Sequence, residues 1–191
     1  MKRIEIRKKL EVLLPEKRFE HTLGVEYTAA ALAMVHGIDV KKAAFAGLLH
    51  DCAKYMSGEE MYKEAKKYGL PISEAEKDNK ELLHAKLGMT FAKSKYGVEE
   101  EDILNAIRYH TTGRPEMTEL EKVLYIADYI EPNRKPLPRM EETRKEAFAD
   151  LDHTMVLILE ETMEYIKRKG KTMDEITLET YEYYKKNGGR L

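Results

Sequence analysis

The sequence has a single cysteine and no apolar run that approaches the roughly 18 residues of a membrane span. One cysteine excludes an internal disulfide framework and a zinc site built on several thiolates, and it fits a reducing compartment. The N-terminus, Met1 to Glu5, leads directly into a charged amphipathic pattern without the apolar core of a signal peptide. We therefore expect a cytoplasmic protein that does not bind a membrane.

An excess of charge of one sign is also missing, because 33 Lys and Arg stand against 35 Asp and Glu, for a net charge of −2. Proteins that bind nucleic-acid polymers usually carry a basic footprint, so we expect no such polymer as a partner. An anionic ligand would need a local cluster of positive groups. A chain of 191 residues can bury its own core, and we predict a single domain over residues 1–191.

The alternating pattern of a half-buried strand is absent as well, and apolar residues recur with a helical period almost throughout. Residues 57–60 and 118–121 have the sequence of capping boxes that open helices. The polar stretch 70–81 is predicted as a connection or lid, and helices 152–187 as packing elements or a homodimer contact. We predict an all-α fold with helices over residues 3–13, 16–36, 39–52, 57–68, 82–96, 99–110, 118–130, 140–149, 152–169 and 173–187.

Histidines and aspartates occupy positions of five helical segments where the apolar pattern predicts core residues. For example, His110 continues the apolar stripe of Ile103 and Ile107. One buried histidine is usually a hydrogen-bonded core residue, but an unpaired buried carboxylate costs several kcal/mol and requires a cation or a proton. One shared cation site would satisfy the whole set: His21, His50, Asp51, His84, His110 and Asp128.

The chemistry of this set favours a particular class of metal. Imidazole and carboxylate without thiolate suit iron, manganese, cobalt or zinc. If Asp51 bridges two ions, the six residues supply about seven of the roughly twelve positions around two octahedral metals. The remaining positions would accept water and substrate oxygens. We therefore predict an open dinuclear site that can generate hydroxide and hold a phosphoryl group.

The order of these residues resembles the HD-domain superfamily of metal-dependent phosphohydrolases. With its flanking residues, it is similar to the bacterial YqeK family of symmetrical dinucleoside tetraphosphatases, over about residues 15–165. The segments that carry the resemblance are FEHT at 19–22, LLHDCAK at 48–54, LHAKLG at 83–88, YHTTG at 109–113 and ADYIEPNR at 127–134.

The resemblance implies a compact HD-domain helical bundle with a dinuclear metal centre in its core, usually of iron, with manganese or cobalt as substitutes. It implies cleavage of diadenosine tetraphosphate (Ap4A) into two ADP by a metal-bound hydroxide, with ADP or GDP as product-like ligands. The first metal would be held by His21, His50, Asp51 and Asp128. The second would be held by His84, His110 and the bridging Asp51.

Positive groups near these segments are candidates for binding the polyphosphate. Lys54 lies one turn beyond Asp51, and Arg134 lies in the proline-rich loop 131–139. We expect Lys54 and Arg134 to stabilise the leaving phosphate, with Asp51 as the third catalytic residue and Glu131 as a candidate for proton transfer. The predicted substrate-binding residues are Arg18, Lys54, Thr112, Gly113 and Arg134.

Three other functions remain open at this point. The first is a phosphohydrolase for another nucleotide, such as a deoxynucleotide or a cyclic dinucleotide, since the chemistry at phosphorus is shared. The second is a di-iron oxygenase, which the positive groups near the site make less suitable. The third is a non-catalytic nucleotide sensor. Structural roles are expected for His36, His153, Cys52 and the C-terminal tyrosines Tyr181, Tyr183 and Tyr184.

Overall fold

The computed structural model describes residues 1–187, and over that range the chain forms eleven α-helices and no strand. This confirms the predicted fold class. None of the helices in this part of the chain is long and apolar enough to cross a membrane. The helices are α1 (Arg3–Leu13), α2 (Glu16–His36), α3 (Val40–Leu49), α4 (Gly58–Lys67), α5 (Glu74–Asp78), α6 (His84–Tyr96), α7 (Glu101–Tyr109), α8 (Glu119–Ile130), α9 (Met140–Ala147), α10 (Leu151–Arg168) and α11 (Glu175–Asn187).

Most predicted helix ends lie within two residues of the observed ends, and two segments differ by more. Helix α3 ends at Leu49, three residues early, and His50 and Asp51 lie in the turn that follows. The polar segment 70–81 contains α5 and the first part of a 3₁₀ helix, Lys80–Leu83, that leads into α6. Both differences matter for the site, because these turns carry side chains that face it.

Local side-chain caps explain where several helices begin. The hydroxyl of Ser57 accepts the Glu60 amide at the start of α4, and Thr118 accepts the Glu121 amide at the start of α8. In both cases the glutamate reaches back to the amide of the cap residue, which confirms the two predicted capping boxes. At the start of α3, the Asp39 carboxylate accepts two backbone amides. Each such cap contributes about 1 kcal/mol.

Helices α2 and α8 form the centre of the bundle. Helix α2 packs along α3 and α8, while α8 also packs on α7 and α10. This packing brings the first half of α2, the C-terminal ends of α3, α7 and α8, and the start of α6 to one place. The largest fully buried side chains of the core include Ile6, Leu10, Leu32, Leu48, Leu49, Phe91, Leu104 and Ile107.

The contact between α2 and α3 depends on Gly47. A Cβ atom at this position would lie 2.8 Å from the Glu26 Cα and 3.0 Å from the Val25 carbonyl oxygen, both of which are backbone atoms of α2. Backbone atoms cannot rotate away, so the two helices approach closely only because residue 47 has no side chain. The Gly47 carbonyl also lies 2.7 Å from His50 Nδ1, so this contact supports the site.

We expect Gly47→Ala to lower the free energy of unfolding by about 1–3 kcal/mol, the usual cost of overpacking a core. The direction of this change in stability is informative, because glycine to alanine at an exposed helix position stabilises a protein by about 1 kcal/mol. Urea unfolding measures the effect. Ser94→Ala, at an exposed position of α6, is the control and should stay within about 0.5 kcal/mol of the parent. A stabilised Gly47→Ala protein would contradict the close approach.

Helix α11 holds the loop 111–117 in place. The buried Tyr184 accepts a hydrogen bond from the Met117 amide through its hydroxyl, at 3.0 Å. Gly113, with φ of +67°, packs so closely on Thr180 that a Cβ would lie 2.7 Å from the Thr180 Cγ2. The packing role predicted for the C-terminal tyrosines therefore holds for Tyr184.

Candidate functional site

The structure brings all six predicted ligand side chains together at the centre of the bundle. His21 comes from the first half of α2, and Asp128 from the last turn of α8. The others lie where helices meet turns: His50 caps α3 and Asp51 follows it, His110 caps α7, and His84 begins α6. All four histidines and Asp51 are buried, while the Asp128 side chain is 20% exposed.

Asp51 lies between two groups of histidines and turns one oxygen toward each. Its Oδ2 is 3.4 Å from His50 Nε2 and 3.8 Å from His21 Nε2. Its Oδ1 is 3.3 Å from His84 Nε2 and 3.9 Å from His110 Nε2. In each group the three candidate ligand atoms lie within 4.8 Å of one another, and Asp51 is common to both groups. This is the arrangement that a carboxylate bridging two cations requires.

Asp128 adds a second carboxylate to the first group only. Its Oδ1 lies 2.9 Å from His21 Nε2 and 3.8 Å from His50 Nε2. The two halves of the cluster are therefore unequal: two histidines and two carboxylates on one side, and two histidines with the shared Asp51 on the other.

Three of the histidine rings are oriented by backbone carbonyls. The Nδ1 atoms of His50, His84 and His110 lie 2.7, 2.5 and 2.7 Å from the carbonyl oxygens of Gly47, Glu81 and Ile107. A carbonyl oxygen can only accept, so each Nδ1 carries the proton and each Nε2 presents a lone pair to the centre. Neutral imidazoles in this tautomer are ready to bind a metal.

The lone pairs of His84 and His110 then face each other, since their Nε2 atoms are only 3.0 Å apart. Two lone pairs at this distance repel, and a cation bound by both removes the repulsion. Among the described residues, His21 Nε2, His50 Nε2 and Asp51 Oδ1 are also buried without a hydrogen bond, which is costly unless another partner binds them. The donor set therefore fits divalent metal ions.

The buried charges of the cluster act on one another. Burial lowers the pKa of His50, but Asp51 and Asp128 outweigh it and raise this pKa above its usual value. The other three groups shift toward the forms that bind metal. Burial, followed by the charge of Lys54, lowers the pKa of His84 well below its usual value, and burial lowers the pKa of His110 to about 4. Burial opposes ionisation of Asp51, but His50, His84 and Arg18 outweigh it and hold the pKa of this carboxyl well below its usual range. Neutral histidines and ionised carboxylates are the forms that ligate metals.

The cluster opens into a cleft of about 1160 Å³. Of the residues predicted to bind substrate, Arg18, Lys54, Thr112 and Arg134 line this cleft. Helix α10 and the segment after it provide a further part of the lining, which was not predicted from the sequence. The positively charged residues along the cleft that were not predicted are Lys17, Lys135, Arg139, Arg168 and Lys171.

The three predicted cations contact the cluster differently. Arg18 donates from Nη1 to Asp51 Oδ2 at 2.7 Å, so it holds the shared carboxylate directly. Arg134 places Nη1 3.8 Å from Asp128 Oδ1. Lys54 forms an ion pair with Glu81, at 3.3 Å, beside the ring of His84.

Gly113 departs from the prediction. It is buried beneath Thr180 and does not line the cleft, and its amide donates to the Tyr109 carbonyl at 2.9 Å. An amide already bonded within the loop is not available to a phosphate. Thr112 lines the cleft, although its hydroxyl donates to the Gly113 carbonyl at 3.0 Å.

Residues expected to be structural lie outside the cluster. His36 Nε2 is 2.8 Å from the Ala147 carbonyl, which joins α2 to the end of α9. Cys52 is buried, and burial raises the pKa of its thiol to about 12. The thiol is therefore protonated and does not add to the ligand set.

Comparison with known proteins decides the family. The model of the HD domain matches residues 18–133, a range that contains all six clustered side chains. The chain belongs to the HD domain family. This HD-domain protein is 44% identical over 170 residues to a symmetrical bis(5'-nucleosyl)-tetraphosphatase of Bacillus subtilis (strain 168), covering 89% of this chain and 90% of the relative. An enzyme of the same name from Halalkalibacterium halodurans is 40% identical, covering 88% and 89% of the two chains. The resemblance to the YqeK family is thereby confirmed.

A solved structure confirms the fold of this HD-domain protein. The crystal structure of a predicted HD superfamily hydrolase involved in NAD metabolism, from Clostridium acetobutylicum, superposes with a TM-score of 0.93 at 39% sequence identity. The match covers 97% of this chain and 98% of the other. The helices that position the cluster therefore belong to an architecture that the two chains share over almost all of the matched length.

Proposed function

We propose that this HD-domain protein hydrolyses Ap4A and related dinucleoside polyphosphates symmetrically, to two nucleoside diphosphates. The observation that carries the proposal is the complete cluster, with one Asp51 oxygen facing each half, in a chain 37–44% identical to three symmetrical tetraphosphatases over 88–93% of its length. We propose two divalent ions as cofactors, with iron as the native metal and manganese or cobalt as substitutes. Residues 1–191 would form one domain, and a homodimer through the C-terminal helices stays a prediction.

The ligand assignment follows the two halves of the cluster. One ion would be held by His21, His50, Asp51 and Asp128, and the other by Asp51, His84 and His110. When bound, the ions would polarise the phosphate as Lewis acids and activate water as a nucleophile. Arg18 would keep Asp51 oriented through its hydrogen bond to Oδ2.

The remaining cleft residues would bind the substrate as a polyanion. Arg134 and Lys54 lie on the cleft beside the two halves of the cluster, where they would stabilise charge on the leaving phosphate. Eight lysines and arginines line the cleft against eight acidic residues, two of which, Asp51 and Asp128, belong to the cluster. Bound divalent ions would therefore supply much of the positive charge that a polyphosphate requires. The volume of about 1160 Å³ exceeds the roughly 1000 Å³ upper end of ordinary small-ligand pockets, which suits an extended ligand.

The decisive experiment is anion-exchange chromatography of Ap4A after incubation with the purified protein. We expect ADP as the only product, formed with added Fe(II), Mn(II) or Co(II) and suppressed by a chelator, because the metals supply several kcal/mol of transition-state stabilisation. AMP plus ATP would contradict symmetrical cleavage while retaining a hydrolase.

Two further measurements separate the alternative functions. Turnover of a deoxynucleotide or cyclic dinucleotide in the absence of Ap4A cleavage would replace the proposed substrate. Oxygen uptake without any nucleotide hydrolysis would instead favour an oxygenase. No turnover together with tight binding of ADP or GDP would favour a sensor.

A further inference from the structure

His21 is held differently from the other three histidines of the cluster. Each of the others has its Nδ1 next to a backbone carbonyl three residues earlier in the chain. The Nδ1 of His21 instead lies 3.0 Å from the carboxylate Oε1 of Glu131, a residue 110 positions away in the sequence. Glu131 is 1% exposed, so this contact is buried.

The Glu131 carboxylate is itself fixed by its surroundings. Its Oε2 accepts the Asn133 amide at 2.7 Å, which leaves Oε1 for His21. The main chain on either side is held by Arg144 of α9, which donates to the Ile130 carbonyl at 2.9 Å and to the Glu131 carbonyl at 3.0 Å. The carboxylate therefore faces the outer nitrogen of the His21 ring from a rigid position.

Gly24 makes room for this carboxylate. It lies on α2 one turn after His21, on the same helix face. A Cβ at position 24 would lie 2.2 Å from the Glu131 Oε2 but 3.4 Å from the Glu131 Cβ. Glycine is unfavourable inside a helix, and here only a residue without a side chain admits the Glu131 head group.

We propose that Glu131 is a positioning residue for His21 and that Gly24 provides the space for its carboxylate. By accepting a hydrogen bond from Nδ1–H, the carboxylate fixes the tautomer that turns Nε2 toward Asp51 and Asp128, and it makes the ring a stronger ligand. The proposal rests on the proposed metal site. It assigns Glu131 to the far side of His21 from the cluster, rather than to proton transfer.

Titration of the metal-free protein with Co(II), followed by calorimetry and by visible absorption, tests the assignment without any nucleotide. We expect Glu131→Gln to weaken one of the two Co(II) sites by about 10–100-fold and to change its absorption spectrum, since loss of such a carboxylate has this effect on metal affinity. The other site should keep its affinity. Glu26→Gln is the matched control, because Glu26 is equally buried on α2 but pairs with Arg3 and Arg7.

A double-mutant cycle tests the role of Gly24. Gly24→Ala should weaken the same Co(II) site about tenfold in the parent protein, because the new methyl displaces the carboxylate from His21. In the Glu131→Ala background the carboxylate is gone, so the same change should alter the affinity less than about twofold. Thermal unfolding of each variant checks that the bundle is retained.

Three outcomes would overturn the proposal. Unchanged Co(II) affinity and spectrum in both Glu131→Gln and Gly24→Ala would remove the positioning role. Reduced turnover of Glu131→Gln with intact Co(II) binding would return Glu131 to proton transfer. A parent protein that binds no Co(II) would contradict both this proposal and the proposed function. A parent protein that binds Co(II) but does not cleave Ap4A would contradict the proposed function alone, and the titration would still test the role of Glu131.

Discussion

An Asp51→Asn protein should lose at least about 1000-fold of its Ap4A hydrolysis and bind fewer metal ions. Asp51 turns one oxygen to each half of the cluster, and an amide group cannot bridge two cations as a carboxylate does. Metals supply several kcal/mol of transition-state stabilisation, and about 4 kcal/mol corresponds to a factor of about 1000. Steady-state hydrolysis and metal analysis of the same preparation measure the two losses together.

Asp102→Asn is the matched control for this change. Asp102 is 38% exposed and pairs with Lys42 at 2.5 Å, and it does not line the cleft. This variant should keep full metal content and activity within about twofold of the parent, since exposed ion pairs contribute little. Full activity and full metal content in a folded Asp51→Asn protein would contradict the bridging role.

Replacing Arg134 should separate substrate binding from metal binding. We expect Arg134→Ala to lower kcat about 100–1000-fold, the usual effect of removing one donor that stabilises developing charge. Metal content should stay at the parent level, because Arg134 approaches Asp128 only to 3.8 Å and is not in the ligand set. Arg134→Lys should restore part of the rate, since it keeps the charge but loses the planar fork of donors.

Lys145→Ala serves as the control for removal of a positive charge. Lys145 is exposed on α9 and does not line the cleft, so its loss should leave kcat and KM unchanged. Kinetics and metal analysis of Arg134→Ala then separate a loss of rate with the metals retained from a loss of the metals themselves. A variant that loses its metals would place Arg134 among the groups that maintain the cluster instead of those that contact substrate.

The clustering of the six candidate ligands was predictable from sequence because buried charge is expensive. Asp51 and Asp128 follow apolar stripes, where a carboxylate without a cation would cost several kcal/mol. The end of α3 was less predictable. His50 keeps helical backbone angles, with φ of −53° and ψ of −39°, so the helical periodicity continues past Leu49 into the turn that carries Asp51.

Other parts of the site depend on tertiary contacts that periodicity does not record. The contact of His21 with Glu131 joins residues 110 positions apart, and only the folded chain shows that Gly24 accommodates it. Arg168 lies on the exposed side of an amphipathic helix, a pattern that equally describes a solvated surface. Gly113 was predicted to bind substrate, but it packs against Thr180 and its amide donates within the loop.

Because the cluster lies among helix ends, the backbone dipoles contribute to the electrostatic potential at the proposed metal site. Helices α3, α7 and α8 end at Leu49, Tyr109 and Ile130, next to His50, His110 and Asp128, whereas only α6 begins there, at His84. Each helix C-terminus carries a partial negative charge of about half an electron. Three such ends against one N-terminus create a negative potential at the cluster before any side chain ionises. The backbone therefore favours divalent cations at the cluster. Ions bound there would reverse the local sign of the potential for the proposed polyphosphate substrate.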